Sequence, residues 1–145
     1  MGATKRGKGT KLMAAADRAG LPVAVYVAAA TPHEVTLVEA TLAARFVRPV
    51  PRRLIGDKAY DSDPLDAQLR KRHIELIAPH KDTRVTLPTQ DGRPLRRYRR
   101  RWKIERLFSW LNNWRRLTVR YEYHVENFLG LLQLACVLIL LKAYL

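Results

Sequence analysis

The sequence predicts a mixed α/β fold, a sheet with helices on both faces. Three observations carry this. Candidate strands come first as a hairpin and then alternate with helices, in the order β-β-α-β-α-β-α-α, which favours a sheet of mixed direction covered by helices. Apolar residues make up 48% of 145 positions, enough for a core of domain size. Glycine and proline are not in excess, at 7 and 8 residues, which argues against wholesale disorder.

Residues 1–11 are rich in Gly and Lys and read as a loose basic arm, leaving 12–145 as one domain. Residues 11–17 and 22–30 read as two strands joined at Arg18-Ala19-Gly20, where glycine supplies positive φ. The second strand, PVAVYVAAA, is nearly all apolar, as a buried strand should be. Thr31 is the expected N-cap of the first helix, with Pro32 in the first turn and Glu34 at capping-box spacing. Val35, Val38, Leu42 and Phe46 continue its period until Pro49-Val50-Pro51 stops it. Residues 53–59 form the third expected strand, ending near Asp57 and Lys58, and Asp63-Pro64 opens a helix carrying Leu65 and Leu69. Residues 74–78 are the fourth strand and 80–94 a charged loop.

A long helix is expected over 95–117 and a last one over 128–145. On the first, Ile104, Leu107, Phe108 and Leu111 fall on one stripe at 100° per residue, the core face. Tyr98, Arg101, Glu105, Asn112 and Arg116 fall on a second stripe beside it. The apolar run 128–141 is shorter than the roughly 20 residues that span a bilayer, so a buried core helix is expected and no membrane partner. Met1 to Lys11 is not followed by a secretory apolar region. The single cysteine, Cys136, excludes an internal disulfide and reads as core.

Charge narrows the function. Lys and Arg number 27 against 13 Asp and Glu, a net charge of +14. Such a surface calls for a polyanion, usually nucleic acid, with an anionic membrane or packed structural RNA as alternatives. Arg96, Arg97, Arg99, Arg100 and Arg101 put five arginines in six positions. They suit phosphate contacts, or else a solvated basic face. Lys5 and Lys8, among glycines, suit an arm lying on phosphates.

Two acids are candidates for chemistry. Asp57 falls at the C-terminal end of a strand, where a sheet can fix a metal ligand while loops leave one side open, although an Asp opening a turn occupies the same place. Glu105 lies beside the core stripe among arginines, where routine ion pairing is the competing account.

The spacing Tyr98-x2-Arg101-x3-Glu105, downstream of a strand ending in Asp57, resembles the signature of bacterial insertion-sequence transposases of the DDE class. So do the strings GDKAYDS (56–62), RRWKIERLFSWL (100–111) and NWRRL (113–117), and the resemblance runs over essentially the whole chain. It implies an RNase H-like fold in which three acids hold two divalent ions, Mg²⁺ or Mn²⁺, and cut and join DNA at the ends of a mobile element. Asp57 matches the second acid and Glu105 the third. Tyr98, Arg101 and Lys58 would contact DNA or orient the site. The first acid, and with it the first strand, would lie upstream of this chain. Asp17 sits at a hairpin turn, the wrong place for it.

The family's basic residue seven places after the Glu is here Asn112, with Arg116 as a substitute on the same stripe. The resemblance therefore implies the C-terminal part of a catalytic domain, without activity alone. Its expected partners are DNA, an upstream transposase polypeptide and further copies of itself, in the bacterial cytoplasm at the nucleoid. The alternatives are a non-catalytic DNA-binding remnant and a structural RNA-binding protein.

Overall fold

A computed structural model describes residues 2–4, 7–90 and 92–145. In chain order the elements are β1 (Gly2–Thr4), β2 (Gly7–Ala16), β3 (Pro22–Ala29), α1 (Glu34–Ala43), β4 (Arg53–Ile55), a 3₁₀ turn (Lys58–Tyr60), α2 (Asp63–Lys71), β5 (Glu75–Ile77), α3 (Gly92–Leu95), a 3₁₀ run (Arg96–Arg101), α4 (Trp102–Asn112), α5 (Arg115–Thr118) and α6 (Val125–Tyr144). The chain divides into two compact units, Met1–Val47 with Lys103–Leu145, and Arg48–Trp102.

In the first unit β1, β2 and β3 make an antiparallel sheet in that order. The β2–β3 hairpin forms as the sequence predicts. Gly20 takes φ +85°, and a side chain there would be strained and would also meet the Arg106 guanidinium. Asp17 fastens the turn, its Oδ1 accepting from the backbone N–H groups of Ala19 at 2.8 Å and Leu21 at 2.9 Å. β2 begins at Gly7 rather than at residue 11, because residues 7–9 pair with β1.

The core of this unit gathers Val25 from β3, Leu107 and Leu111 from α4, and Leu132, Ala135 and Cys136 from α6, with Ile104 and Phe108 packed against it. The predicted stripe of α4 is thus the buried one. Burying each such leucine is worth about 1.5–3 kcal/mol. Burial also raises the Cys136 thiol pKa to about 11. Phe128 is buried, while Tyr121 and Tyr123 are 74% and 86% exposed.

Helix α1 corrects one expectation. His33, not Thr31, is its N-cap, with no side-chain cap, so the capping box does not form. Its buried face is Leu37, Val38, Thr41 and Leu42, and Phe46 lies beyond its end, exposed. Helix α6 is longer than expected. It runs 20 residues, long and apolar enough by length and composition to cross a membrane, so the length argument against a span does not hold. One face of it, with Phe128, Leu132, Ala135 and Cys136, is buried in the core of this unit.

In the second unit β4 and β5 pair in parallel, joined by α2 as a β-α-β connection. Ser62 caps α2, Pro64 sits in its first turn, and Leu65 and Leu69 are its buried residues, as their spacing predicts. His73 closes the helix in a left-handed conformation, φ 58°, and turns the chain into the buried Ile74 that precedes β5.

Two larger expectations are corrected. Among the described residues the strands form two sheets, one antiparallel and one parallel, instead of a single mixed sheet. The far edge of β3 is taken by the segment after α1, through an Ala24–Arg45 bridge and a 2.8 Å bond from Phe46 N–H to the Val23 carbonyl. The long helix over 95–117 is also broken into α3, a 3₁₀ run, α4 and α5. Arg96–Arg101 winds as 3₁₀, and Asn112, Asn113 and Trp114 end α4.

Candidate functional site

Asp57 lies two residues past the end of β4, where it caps the 3₁₀ turn Lys58–Tyr60. Its Oδ1 accepts from the Ala59 N–H at 2.8 Å. Gly56 precedes it because a Cβ there would come within 2.7 Å of the Tyr60 ring, so glycine allows the ring to fold back under the turn. Asp57 thus opens a turn, and the third strand, expected over 53–59, ends at Ile55 before reaching it.

Its other oxygen, Oδ2, stands 3.6 Å from Arg101 Nη1. Arg101 also lies over the Tyr98 ring, 5.7 Å from guanidinium carbon to ring centroid. The 3₁₀ run causes this pairing, since residues three apart eclipse at three residues per turn. Two segments that the sequence separates by about forty residues, 56–62 and 98–101, thus meet at one carboxylate. Neighbouring Lys58 is exposed and bound to Asp82 at 2.8 Å.

A second cluster secures this turn, and sequence reasoning missed it. The Asp61 side chain is almost fully buried. It accepts from His80 Nδ1 at 2.9 Å, from the Lys81 backbone N–H at 2.8 Å and from Arg84 at 2.8 Å. Arg84 also reaches Asp63 at 2.7 Å, and the Thr89 N–H donates to His80 Nε2 at 3.3 Å. Burial alone would raise the Asp61 pKa. The bonds from Lys81 and His80 and the charge of Arg84 outweigh it and hold the carboxyl below its ordinary value. Asp61 was within the GDKAYDS string, but the spacing to His80 and Arg84 gives no periodic signal.

Glu105 is an exposed residue in the first turn of α4. It belongs to the first unit and Asp57 to the second. Arg116 is not on the Glu105 stripe, because α4 ends at Asn112; it sits on α5 and pairs with Glu122 at 3.1 Å. Arg96, Arg99 and Arg100 are exposed and Arg97 half-buried on the 3₁₀ run. Lys5 and the side chain of Lys8 lie outside the described residues.

Among the described residues no three His, Cys, Asp or Glu side chains gather where one metal ion could be held. Asp57 and Glu105 suit a hard divalent cation in donor type, being carboxylates, but not in number. Asp57 moreover faces a guanidinium, which opposes a cation at the same oxygen.

The chain matches the family model described as Transposase DDE domain over residues 1–140. A putative transposase for insertion sequence element IS402 from Burkholderia cepacia is 32% identical over 139 residues, covering 90% of this chain and 62% of that relative. A putative transposase for insertion sequence element IS6501 from Brucella ovis is 34% identical over 136 residues, covering 92% of this chain and 98% of the relative. This chain thus spans less than two thirds of the first relative's length. No solved structure matches it. By a family match across nearly its whole length and by both relatives, the chain belongs to the transposase DDE domain family of bacterial insertion sequences.

Proposed function

We propose that this chain is the C-terminal part of an RNase H-like catalytic domain that binds mobile-element DNA and supplies two of the three acids for cutting and joining it. The observation that carries this is the meeting of Tyr98, Arg101 and Asp57 in one unit. Segments remote in sequence converge there on a carboxylate held at the end of a short parallel ladder, with a cation and an aromatic face beside it.

Asp57 and Glu105 would be the hard oxygen ligands this chain contributes to Mg²⁺ or Mn²⁺. When bound, such ions would supply an activated nucleophile and charge for the leaving oxygen. What this chain's own residues do is bind and orient. Arg101 screens Asp57 while the site is open, and its fork can turn to a phosphate oxygen when DNA arrives. Tyr98 keeps that fork in plane. Arg96, Arg97, Arg99 and Arg100 on the 3₁₀ run, with Arg116, Lys58, Lys5 and Lys8, supply further phosphate contacts that fix register without reading sequence.

An upstream polypeptide would carry the first aspartate. Further copies of the chain are expected in the assembly at a pair of element ends, in the cytoplasm at nucleoid DNA.

The second reading is a DNA-binding remnant with no chemistry. It is favoured by the Asp57–Arg101 pair and by the want of a three-carboxylate cluster among the described residues. The experiment that separates the two is strand joining with added upstream polypeptide. Joining that depends on Asp57 supports the first reading, and its absence under all conditions supports the second.

A further inference from the structure

The 3₁₀ run sorts its side chains by a period of three, so positions 98 and 101 share one face, 97 and 100 a second, 96 and 99 a third. The first face is turned to Asp57 by way of Arg101. The second opens on something else. Arg97 and Arg100, with Arg96 and with Arg93 from α3, line a cavity of about 410 Å³. The geometry points to this cavity as a phosphate site, in which several arginines grip one stretch of DNA backbone jointly, at a place separate from Asp57. The inference rests on the DNA-binding part of the proposed function and names where the backbone is held.

Four observations support it. Every residue lining the cavity is an arginine. Among the described residues no carboxylate pairs with Arg96, Arg97 or Arg100, while Asp57 stands beside Arg101 and Asp61 and Asp63 bind Arg84. Guanidiniums three and four residues apart repel each other, so an anion between them relieves a cost that the free protein carries. The run is also six residues long, beyond the three or four usual for 3₁₀ structure, and this tight winding is what eclipses Arg97 with Arg100.

Size and access fit the ligand. At a water's share of roughly 30 Å³ the cavity has room for about a dozen waters. That accommodates a phosphodiester with part of its sugars and is generous for a lone halide. Arg96 and Arg100 are exposed, so a duplex can reach it without unfolding. Planar guanidinium forks match phosphate oxygens in pairs, and several forks on one phosphate hold it more firmly than a point charge would.

The test uses the full chain and four versions of it: unaltered, Arg97→Gln with Arg100→Gln, Arg99→Gln, and Arg99→Gln with the pair. Duplex DNA affinity is measured across salt concentrations. The paired variant is expected to lose about tenfold or more at low salt and to lower the log–log salt slope by about 0.9, one phosphate contact. Arg99→Gln, outside the cavity, is expected to lose less. Equal losses for the paired variant and Arg99→Gln would overturn the inference. An unaltered chain with no salt-dependent binding would instead sink the DNA-binding proposal itself.

A second arm distinguishes the source of phosphate. Inorganic phosphate, matched against chloride at equal ionic strength, is expected to raise the melting temperature of the unaltered chain and not of the paired variant. If both respond alike, the cavity is not where phosphate binds. If phosphate discriminates between them while DNA affinity does not, the site serves the free ion and the DNA assignment is wrong. Without any anion the paired variant should melt no lower than the unaltered chain, because two repelling charges have been removed.

Discussion

Arg101 holds its guanidinium 3.6 Å from the carboxylate of Asp57 while lying 5.7 Å from the centroid of the Tyr98 ring. One cation thus joins the two segments that carry the family signature. In the proposed function it would balance Asp57 until DNA arrives and then turn the same fork to a backbone oxygen. Arg101 is a positioning residue on this account.

In the assembly with upstream polypeptide, Arg101→Gln should slow strand joining by up to roughly 100-fold, because the fork that would hold a DNA phosphate in register beside Asp57 is lost. Arg101→Lys should recover only part of that, because an ammonium lacks the planar fork. Single-turnover rates at saturating DNA separate this from an effect on affinity. Unchanged rates for both variants would leave the Arg101–Asp57 pair as a surface ion pair and nothing more.

Binding to duplex DNA should be tight, poorly selective and steeply salt-dependent, given a net charge of +14. With six or more phosphate contacts, affinity falls by about 10³-fold or more between roughly 50 and 200 mM salt. Fluorescence anisotropy on unrelated duplexes of equal length measures it. A shallow slope would mean that the charge is spread over surfaces that DNA does not meet.

The stability of the first unit should depend on the stripe of α4. Leu107 is fully buried against Val25 and the α6 residues, so Leu107→Ala should cost about 2–5 kcal/mol. Trp102 on the same helix is 50% exposed, and Trp102→Ala should cost far less. Urea unfolding, followed by circular dichroism, compares the two. Similar losses would contradict the packing described.

The core stripe of α4 and the β2–β3 hairpin were legible in sequence because their signals are local. Apolar residues recur at helical spacing in one, and glycine sits at the turn of the other. Helix α2 was legible for the same reason, from Asp63, Pro64, Leu65 and Leu69. The continuous helix over 95–117 was not, because Tyr98, Arg101 and Glu105 fit an α-helical stripe equally well on paper. The 3₁₀ winding of Arg96–Arg101 leaves no mark in the periodicity of apolar residues. The Asp61 cluster depends on partners about twenty residues away in a loop with no period. Of the candidate site, the sequence named Asp57, Tyr98 and Arg101, but not that Arg101 pairs with both.

The Asp61 cluster predicts a pH dependence. Its carboxyl is held below the ordinary value of 3.8 in the folded chain. A carboxyl with a lowered folded pKa contributes stability above its unfolded pKa and loses it as pH falls through the folded one. Asp61→Asn should therefore lower the melting temperature at neutral pH, and the difference from the unaltered chain should shrink on acidification below about pH 4. The loop over 80–90 should also become more open to limited proteolysis in the variant at neutral pH. A difference that stays constant down to strongly acidic pH would show that the charge of Asp61 is not what fastens the loop.

The central claim is that Asp57 and Glu105 belong to a site this chain does not complete alone. Two divalent ions carry four positive charges, and two carboxylates with Arg101 beside one of them neutralise too little to hold both ions in place. The direct measurement incubates purified chain with Mg²⁺ or Mn²⁺ and element-end DNA, with and without the upstream polypeptide, and reads cleavage and joining on a gel. The account predicts no metal-dependent product from the chain alone, product when the upstream polypeptide is added, and its loss on Asp57→Ala or Glu105→Ala. Metal-dependent cleavage by the chain alone, or product in the mixture that survives both substitutions, would contradict it.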